Sequence, residues 1–169
     1  MEKVLNQKEI DTLLYGYEKE LIKKRVEHCI VFDKFGNRVA AKQGTKEEID
    51  IRDISDLMFR QRVYTHNHPK AGSSFSLDDV LVFETHELTE MRACDKLYWY
   101  SVRRTKNSSR ITKAKFLKEY DKQTRILLPK YQKRFDSGED EETLKHDWLS
   151  EAMKRTFSTY GFIYRRNKW

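Results

Sequence analysis

The order of apolar and polar positions along the chain predicts an alternation of helices and strands. Between residues 7 and 25, apolar side chains recur at spacings of three and four, which is the stripe of an amphipathic helix. The period then changes to two short apolar stretches, near residues 28–33 and 38–42, on either side of the turn-forming residues Lys34–Asn37. This arrangement predicts a β-hairpin.

The middle of the chain continues the alternation. A short helical stretch is predicted from Ser55 to Gln61, then a brief strand in "RVYTH" and a second helix that opens at Ser76. Two further segments, "MRACD" and "LYWYSVRR", predict a pair of strands around Asp95 and Lys96. Helices and strands that alternate in this order predict an α/β fold.

The last third of the chain has a helical pattern. From Thr112 onward apolar residues fall on one side of a helix, and lysines and arginines fall on the other. Pro129 is expected to bend or interrupt that helix. A final helix is predicted to end at about Thr159. We interpret the chain as a domain over residues 1–110 with a basic helical extension, residues 111–169, packed on it.

Cysteine usage and hydropathy bear on the compartment. Cys29 and Cys94 are too few for a disulfide framework or a four-thiolate zinc site, so two buried structural thiols in a reducing environment are expected. The N-terminal residues lack the basic and then apolar layout of a signal peptide. No stretch reaches the ~20 apolar residues of a membrane span. We therefore expect a soluble, cytoplasmic protein without a membrane partner.

The net charge of +7 is concentrated in one region. Residues 96–135 carry 13 lysines and arginines against 2 acidic residues, whereas residues 136–153 carry 7 acidic residues against Lys145. The basic span is interpreted either as a solvated helix face or as a contact for a polyanion such as nucleic acid. Its interleaved aromatic residues, Tyr98 to Tyr100, suit single strands. Aromatic residues in such a strand equally suit ordinary packing.

The stretch "VYTHNHPKAGSSFSLDDV" carries the candidate chemistry. If the segment is extended, His66 and His68 leave the same face and can converge on one ion. Pro69 then ends the strand, and the small residues at 70–74 let the chain turn back. Ser76 at a helix N-cap makes Asp79 the third helical residue, whose carboxylate can complete the ligand set.

Two histidines and one aspartate suit zinc, although manganese, cobalt or iron also accept these donors. Three protein ligands leave the fourth zinc position to water, which is the arrangement of a catalytic site. The alternative interpretation is a simple helix cap with polar histidines in a loop. His28 and His86 are expected to lie outside the ligand set, His86 because it is about 10 Å further along the helix.

The pattern His-x-His-Pro, six residues, Ser, two residues, Asp in "HNHPKAGSSFSLDD" resembles the signature of the JAMM metallopeptidase family. The segment "RVEHCIVFDKFGNRV" resembles the family strand that begins with a glutamate. The resemblance covers roughly residues 20–104. Within the family, the chain is most similar to small JAB-type domains found near phage head-morphogenesis proteins and in bacterial toxin cassettes.

The resemblance implies a JAMM/MPN-like fold, a layered arrangement like that of cytidine deaminases, with a mixed β-sheet flanked by helices. It implies one zinc ion held by His66, His68 and Asp79, with Glu27 as general base and Ser76 as donor to the oxyanion. The implied activity is hydrolysis of an amide or isopeptide bond in a protein or peptide substrate.

Two other functions stay open at this point. One is nucleic-acid binding, with or without hydrolysis, through the basic aromatic half of the chain. The other is a catalytically silent JAMM-like binding scaffold. The sequence leaves the substrate and the oligomeric state open, and nothing in it indicates a groove for a ubiquitin-like modifier.

Overall fold

The computed structural model describes residues 2–70 and 74–169, and within them the chain has an α/β fold. The strands are β1 (His28–Phe32), β2 (Arg38–Gln43), β3 (Val63–Asn67), β4 (Glu90–Cys94), β5 (Tyr98–Arg103) and β6 (Ile163–Lys168). The helices are α1 (Gln7–Leu21), α2 (Leu77–Thr85), α3 (Lys113–Asp136) and α4 (Glu141–Thr159). The α/β class predicted from the sequence is confirmed.

The strands form one mixed sheet in the order β2-β1-β3-β4-β5-β6. Strands β3 and β4 pair in parallel, and every other neighbouring pair is antiparallel. A parallel pair needs a crossover connection, and α2 supplies it. Because α2 follows β3 directly along the chain, its first turn lies beside the end of that strand.

Helices cover both faces of the sheet. On one face α1 packs through Leu14 and Leu21 against Ile30, Phe32 and Val63 of the strands. The opposite face packs against the remaining helices in a larger core, which includes Tyr64, Val80, Phe83, Met91, Phe116, Met153 and Phe157. Since side chains alternate along a strand, Tyr64 and His66 of β3 both face this larger core. Cys29 and Cys94 are buried free thiols, as predicted.

A buried ion cluster fixes α1 against the sheet. The guanidinium of Arg92 on β4 donates to both carboxylate oxygens of Glu18 on α1, at 2.7 and 2.9 Å, and to Asp11 at 2.8 Å. Thr65 on β3 donates to Glu18 at 2.9 Å. Arg92 and Glu18 are 1% and 0% exposed, so removal of either partner would leave a buried charge, typically a loss of about 3–5 kcal/mol.

The C-terminal region contributes to the same sheet. Helices α3 and α4 pack on each other, and β6 pairs antiparallel with β5 from Ile163 to Lys168. The residue pattern of this segment did not predict a strand. The predicted extension, residues 111–169, thus supplies an edge strand to the sheet that residues 28–103 build.

The structure differs from one local prediction and from part of another. Helix α3 runs without interruption through Pro129, which leaves the carbonyl of Arg125 without its helical N–H donor. Arg125 and Pro129 are exposed, whereas Leu127 and Tyr131 on either side of the proline are buried, so the proline lies on the solvent side of the helix. The helix predicted at residues 55–61 is reduced to one 3-10 turn, Asp56–Met58.

Within residues 2–70 and 74–169, no helix combines the length and the apolar character that a membrane crossing requires.

Candidate metal centre

Strand β3 places two imidazoles on the same side of the sheet. His66 lies within β3, and the N–H of His68 donates to the carbonyl of Cys94 at 2.8 Å, so the extended pairing with β4 continues to residue 68. The two side chains consequently leave the same face, as predicted. Their Nε2 atoms are 2.9 Å apart.

The first turn of α2 supplies the carboxylate. Ser76 is the N-cap residue: its Oγ accepts from the N–H of Asp79 at 3.1 Å, and its own N–H donates to Asp79 Oδ2 at 2.7 Å. This reciprocal pair is a capping box, the alternative interpretation of the sequence. The same geometry also brings Asp79 Oδ1 to 3.1 Å from His66 Nε2 and Oδ2 to 3.6 Å from His68 Nε2. The helix cap and the ligand set are therefore one arrangement.

The three side chains could hold a metal ion. Their ligand atoms all lie within 4.8 Å of one another. Four ligands arranged tetrahedrally at about 2.0–2.1 Å from a zinc ion lie about 3.3 Å from each other. The two Nε2 atoms are 2.9 Å apart, and each lies near a different oxygen of Asp79, at 3.1 Å for His66 and 3.6 Å for His68. Two imidazoles and one carboxylate thus fit a small divalent cation, and the donor types alone leave its identity open.

Electrostatics favour an ionised Asp79. Burial opposes the charge of this carboxyl, but His66 and His68 outweigh burial and hold its pKa well below the usual range. A carboxylate that is ionised in the folded protein is ready to bind a cation without first losing a proton.

The second ring nitrogen of His66, Nδ1, has an unusual environment. Within the described part of the chain, His66 Nδ1 is buried and has no hydrogen-bond partner. The ring of Tyr64 packs beside the imidazole, with 5.2 Å between centroids. Metal binding through Nε2 places the ring proton on Nδ1, where ligating histidines normally meet an acceptor. His66 is therefore positioned by packing and by the strand.

Glu27 enters the site from the neighbouring strand. Its N–H donates to the carbonyl of Thr45 at 2.7 Å, and its carbonyl accepts from the N–H of Gly44 at 2.8 Å, so the β1–β2 pairing extends back to residue 27. The register that pairs Cys29 with His66, continued by two residues, places Glu27 opposite His68. Burial raises the pKa of Glu27, and the nearby histidines act in the opposite direction.

His68 is the member of the ligand set that lines a cleft of about 730 Å³. Glu27, His68 and Ser76 line it together, and Glu47 lies at its rim, 3.7 Å from Lys70. The opposite wall comes from α3 and α4 through Tyr120, Lys145, His146, Leu149, Ser150 and Met153. These residues could not be assigned to the site from the sequence, because only the packing of the C-terminal helices brings them there.

A tyrosine of β6 supports the segment that leads into α2. Tyr164 Oη lies 2.8 Å from Ser74 Oγ and 3.0 Å from Ser150 Oγ, which joins the site segment, α4 and β6 at one hydroxyl. Phe75 packs against the rings of Phe157 and Tyr164, with centroids 6.4 and 6.2 Å away. The C-terminal region thus positions Ser76 and, through the cap, Asp79. Residues 71–73, part of the predicted turn, lie outside the described residues.

Tyr164→Phe is expected to lower the free energy of unfolding by about 1–2 kcal/mol, because two hydroxyl contacts disappear while the ring stays packed. The amide of Asp79 should also exchange its proton faster. Chemical denaturation and hydrogen exchange measure the two effects. Tyr160→Phe is the matched control, since its exposed hydroxyl donates to the carbonyl of Lys115 at 3.0 Å, away from the site. Equal losses in both variants would contradict the supporting role of Tyr164.

His28 and His86 lie outside the ligand set, as predicted. His28 contacts the carbonyl of Val26 at 3.0 Å and the side chain of Gln43 at 3.1 Å. His86 lies 2.8 Å from the carboxylate of Asp56, and its ring stacks on Phe59. Both therefore have structural contacts of their own.

Comparison with protein-family models, with curated proteins and with solved structures finds no match for this chain.

Proposed function

We propose that this protein is a zinc-dependent metallopeptidase or isopeptidase of the JAMM type, and that its α/β fold is a JAMM/MPN-like one. The observation that carries the proposal is the convergence of His66, His68 and Asp79 at the three signature positions, beside a cleft that His68 lines together with Glu27 and Ser76. If the sequence matched the family signature only by chance, there would be no reason for the three side chains to lie close together.

His66 and His68 would hold the zinc ion through Nε2, and Asp79 would hold it through its carboxylate. A zinc ion in such a site supplies Lewis acidity and lowers the pKa of a water molecule to about 7. The extended end of β3 positions the two histidines, and the N-cap of α2 positions Asp79.

Glu27 is the proposed general base, which accepts a proton from the attacking water and delivers it to the leaving amine. Its carboxylate lines the cleft beside His68. Burial raises the pKa of Glu27, which makes the carboxylate a stronger base than an exposed glutamate. The backbone hydrogen bonds to Gly44 and Thr45 hold the residue in position.

Ser76 has two tasks in this proposal. In the structure its hydroxyl donates to Asp79 Oδ2 at 2.8 Å and so orients the ligand carboxylate. As a donor to the substrate oxyanion, the hydroxyl rotates away from Asp79, whose Oδ2 keeps the bond from the N–H of Ser76 at 2.7 Å. The carboxylate stays anchored while the hydroxyl turns.

The proposed substrate is an extended segment of a protein or peptide. Strand β2 is an edge strand of the sheet and ends next to the Gly44–Thr45 turn that holds Glu27. An extended chain can add to such an edge through backbone hydrogen bonds. Two buried free thiols suit the reducing, cytoplasmic compartment that we propose for this activity.

Hydrolysis is expected to depend on the metal. A denatured protein mixture serves as substrate, and isotope labelling counts the amines released by cleavage. The zinc-loaded protein should release new amines, the chelator-treated protein should not, and one equivalent of Zn²⁺ should restore the release. Equal release by the loaded and the metal-free protein would contradict a zinc peptidase.

The catalytically silent scaffold is the weaker alternative, because the ligand set is complete and the glutamate lines the same cleft as His68. Nucleic-acid contact through residues 96–135 is compatible with the peptidase, since the two would use different surfaces. The distribution of ion pairs over residues 96–135 favours nucleic-acid contact as a second function.

A further inference from the structure

The cations of residues 96–135 are not equivalent once the chain is folded. From Lys96 to Lys118 the sequence contains no acidic residue. In the second half of α3, by contrast, acidic groups pair with Arg125, Lys130 and Arg134. Arg134 pairs with Glu139 and Asp147 at 2.6 and 3.2 Å, and Lys130 lies 2.5 Å from Glu151 of α4.

The remaining positive charge collects on the loop before α3 and on its first turns. Five exposed cations there form no ion pair with any described residue, and we call them the basic surface: Lys106, Arg110, Lys113, Lys115 and Lys118. The acidic helix α4 therefore neutralises one end of the basic span and leaves the other end with a local excess of positive charge.

The loop that carries this surface is held in place. The N–H of Ser109 donates to the carbonyl of Tyr160 at 3.0 Å, and the hydroxyls of Thr105 and Ser108 donate to the carbonyl of Gly161 at 2.7 and 3.0 Å. Gly161 has a φ of +78°, and a Cβ added there would lie 2.5 Å from the carbonyl oxygen of Asn107. The approach is close enough that only glycine fits. A fixed loop loses little conformational entropy when it binds a partner.

The aromatic residues of the basic span do not add a base-stacking platform. Tyr100 is 1% exposed and belongs to the core, and Trp99 packs on the guanidinium of Arg92 at 4.4 Å. The ring of Tyr98 is covered by Arg166 at 4.3 Å. Recognition by stacking between unpaired bases is therefore not what this surface offers. Point charges together with the exposed polar residues Asn107 and Ser109 suit phosphates.

We propose that the basic surface binds the phosphodiester backbone of a nucleic acid without reading its sequence. Lysine ammonium groups that neutralise phosphates release condensed counterions, which makes such binding strongly dependent on salt. The five cations come from one loop and the adjoining helical turns, within 13 residues of the chain. This function is separate from the metal cleft and does not depend on the peptidase proposal.

The test uses the full chain and fluorescently labelled 30-base-pair DNA and RNA duplexes, with poly-glutamate as a competing polyanion. If all five cations contact phosphates, the slope of log K against log salt is about −4.5 for DNA. The variant Lys113→Gln, Lys115→Gln, Lys118→Gln should reduce the magnitude of that slope by about 2.7 and bind at least about tenfold more weakly at 0.1 M salt. The DNA and RNA arms distinguish the two sources of the same backbone.

The matched control removes three exposed lysines elsewhere, Lys23→Gln, Lys24→Gln and Lys133→Gln, with the same change in net charge. The control should keep the slope of the parent protein. Equal weakening in both triple variants would show an effect of net charge alone and would overturn the proposal. Absence of salt-dependent binding by the parent, or displacement of the duplex by poly-glutamate at equal charge concentration, would overturn it as well.

Discussion

We expect the parent protein to carry one equivalent of zinc and the variant Asp79→Asn to lose stoichiometric metal binding. In the proposed site the carboxylate is one of three ligands and adds negative charge 3.1 Å from His66 Nε2. Loss of a group that only supports a ligand already lowers metal affinity by about 10–100-fold, so loss of a ligand should exceed about 100-fold. Elemental analysis after dialysis and titration against a competing chelator measure the effect.

Asp78→Asn is the matched control for that substitution. Asp78 is exposed, lies in the same helical turn and is not part of the ligand set. Its substitution by asparagine removes the same charge. Asp79 is also the partner of Ser76 in the capping box, so the unfolding midpoint of each variant is measured beside its zinc content to separate a loss of the cap from a loss of the ligand. Parent-like zinc content in Asp79→Asn, or equal losses in both variants, would contradict the assigned ligand.

Glu27→Gln should keep the zinc and lose hydrolysis. An amide of nearly the same shape cannot accept the proton of the attacking water, and general base catalysis typically contributes about 10²–10⁴-fold to the rate. The measurements are zinc content and the rate of amine release by the same preparation. Because Glu27 is outside the ligand set, the two results separate proton transfer from metal binding.

Glu47→Gln serves as the control for Glu27→Gln. Glu47 lines the same cleft, but it is 79% exposed and lies at the rim next to Lys70. Its substitution is expected to leave the rate within about twofold of the parent, because a pair this exposed contributes little. If Glu27→Gln kept the full rate, or if Glu47→Gln removed it, the base would have to be reassigned.

The sequence predicted the helices and strands that are determined by residues close together along the chain. The hairpin of β1 and β2 follows from apolar runs around Lys34–Asn37, and the cap of α2 follows from the side-chain chemistry of Ser76 and Asp79. The ligand set is predictable for the same reason: the period of an extended strand puts His66 and His68 on one face, and the cap fixes Asp79 close to them.

Features that depend on contacts between distant residues escaped the sequence analysis. Strand β6 carries charges at alternate and adjacent positions, as edge strands can, and only its pairing with β5 reveals it. The link from Tyr164 to Ser74 spans 90 residues, and the wall that α4 adds to the cleft depends on the same packing. No periodic pattern within a short window records such contacts.

The charge count shows a similar limit. The excess over residues 96–135 is a property of the sequence, but its distribution in space depends on which acidic residues face α3. Glu151 is 21 residues away from Lys130 along the chain and still pairs with it. In the folded chain the unpaired positive charge of residues 96–135 is therefore greatest at the basic surface, Lys106 to Lys118. The charge count along the sequence could not locate that surface.

X-ray absorption spectroscopy of the zinc-loaded protein tests the metal centre most directly. The account predicts a first shell of nitrogen and oxygen atoms at about 2.0–2.2 Å, with the multiple scattering of two imidazoles, and the loss of this signal in Asp79→Asn. A shell without imidazole, a shell that contains sulfur at about 2.3 Å, or an unchanged spectrum in the variant would contradict it.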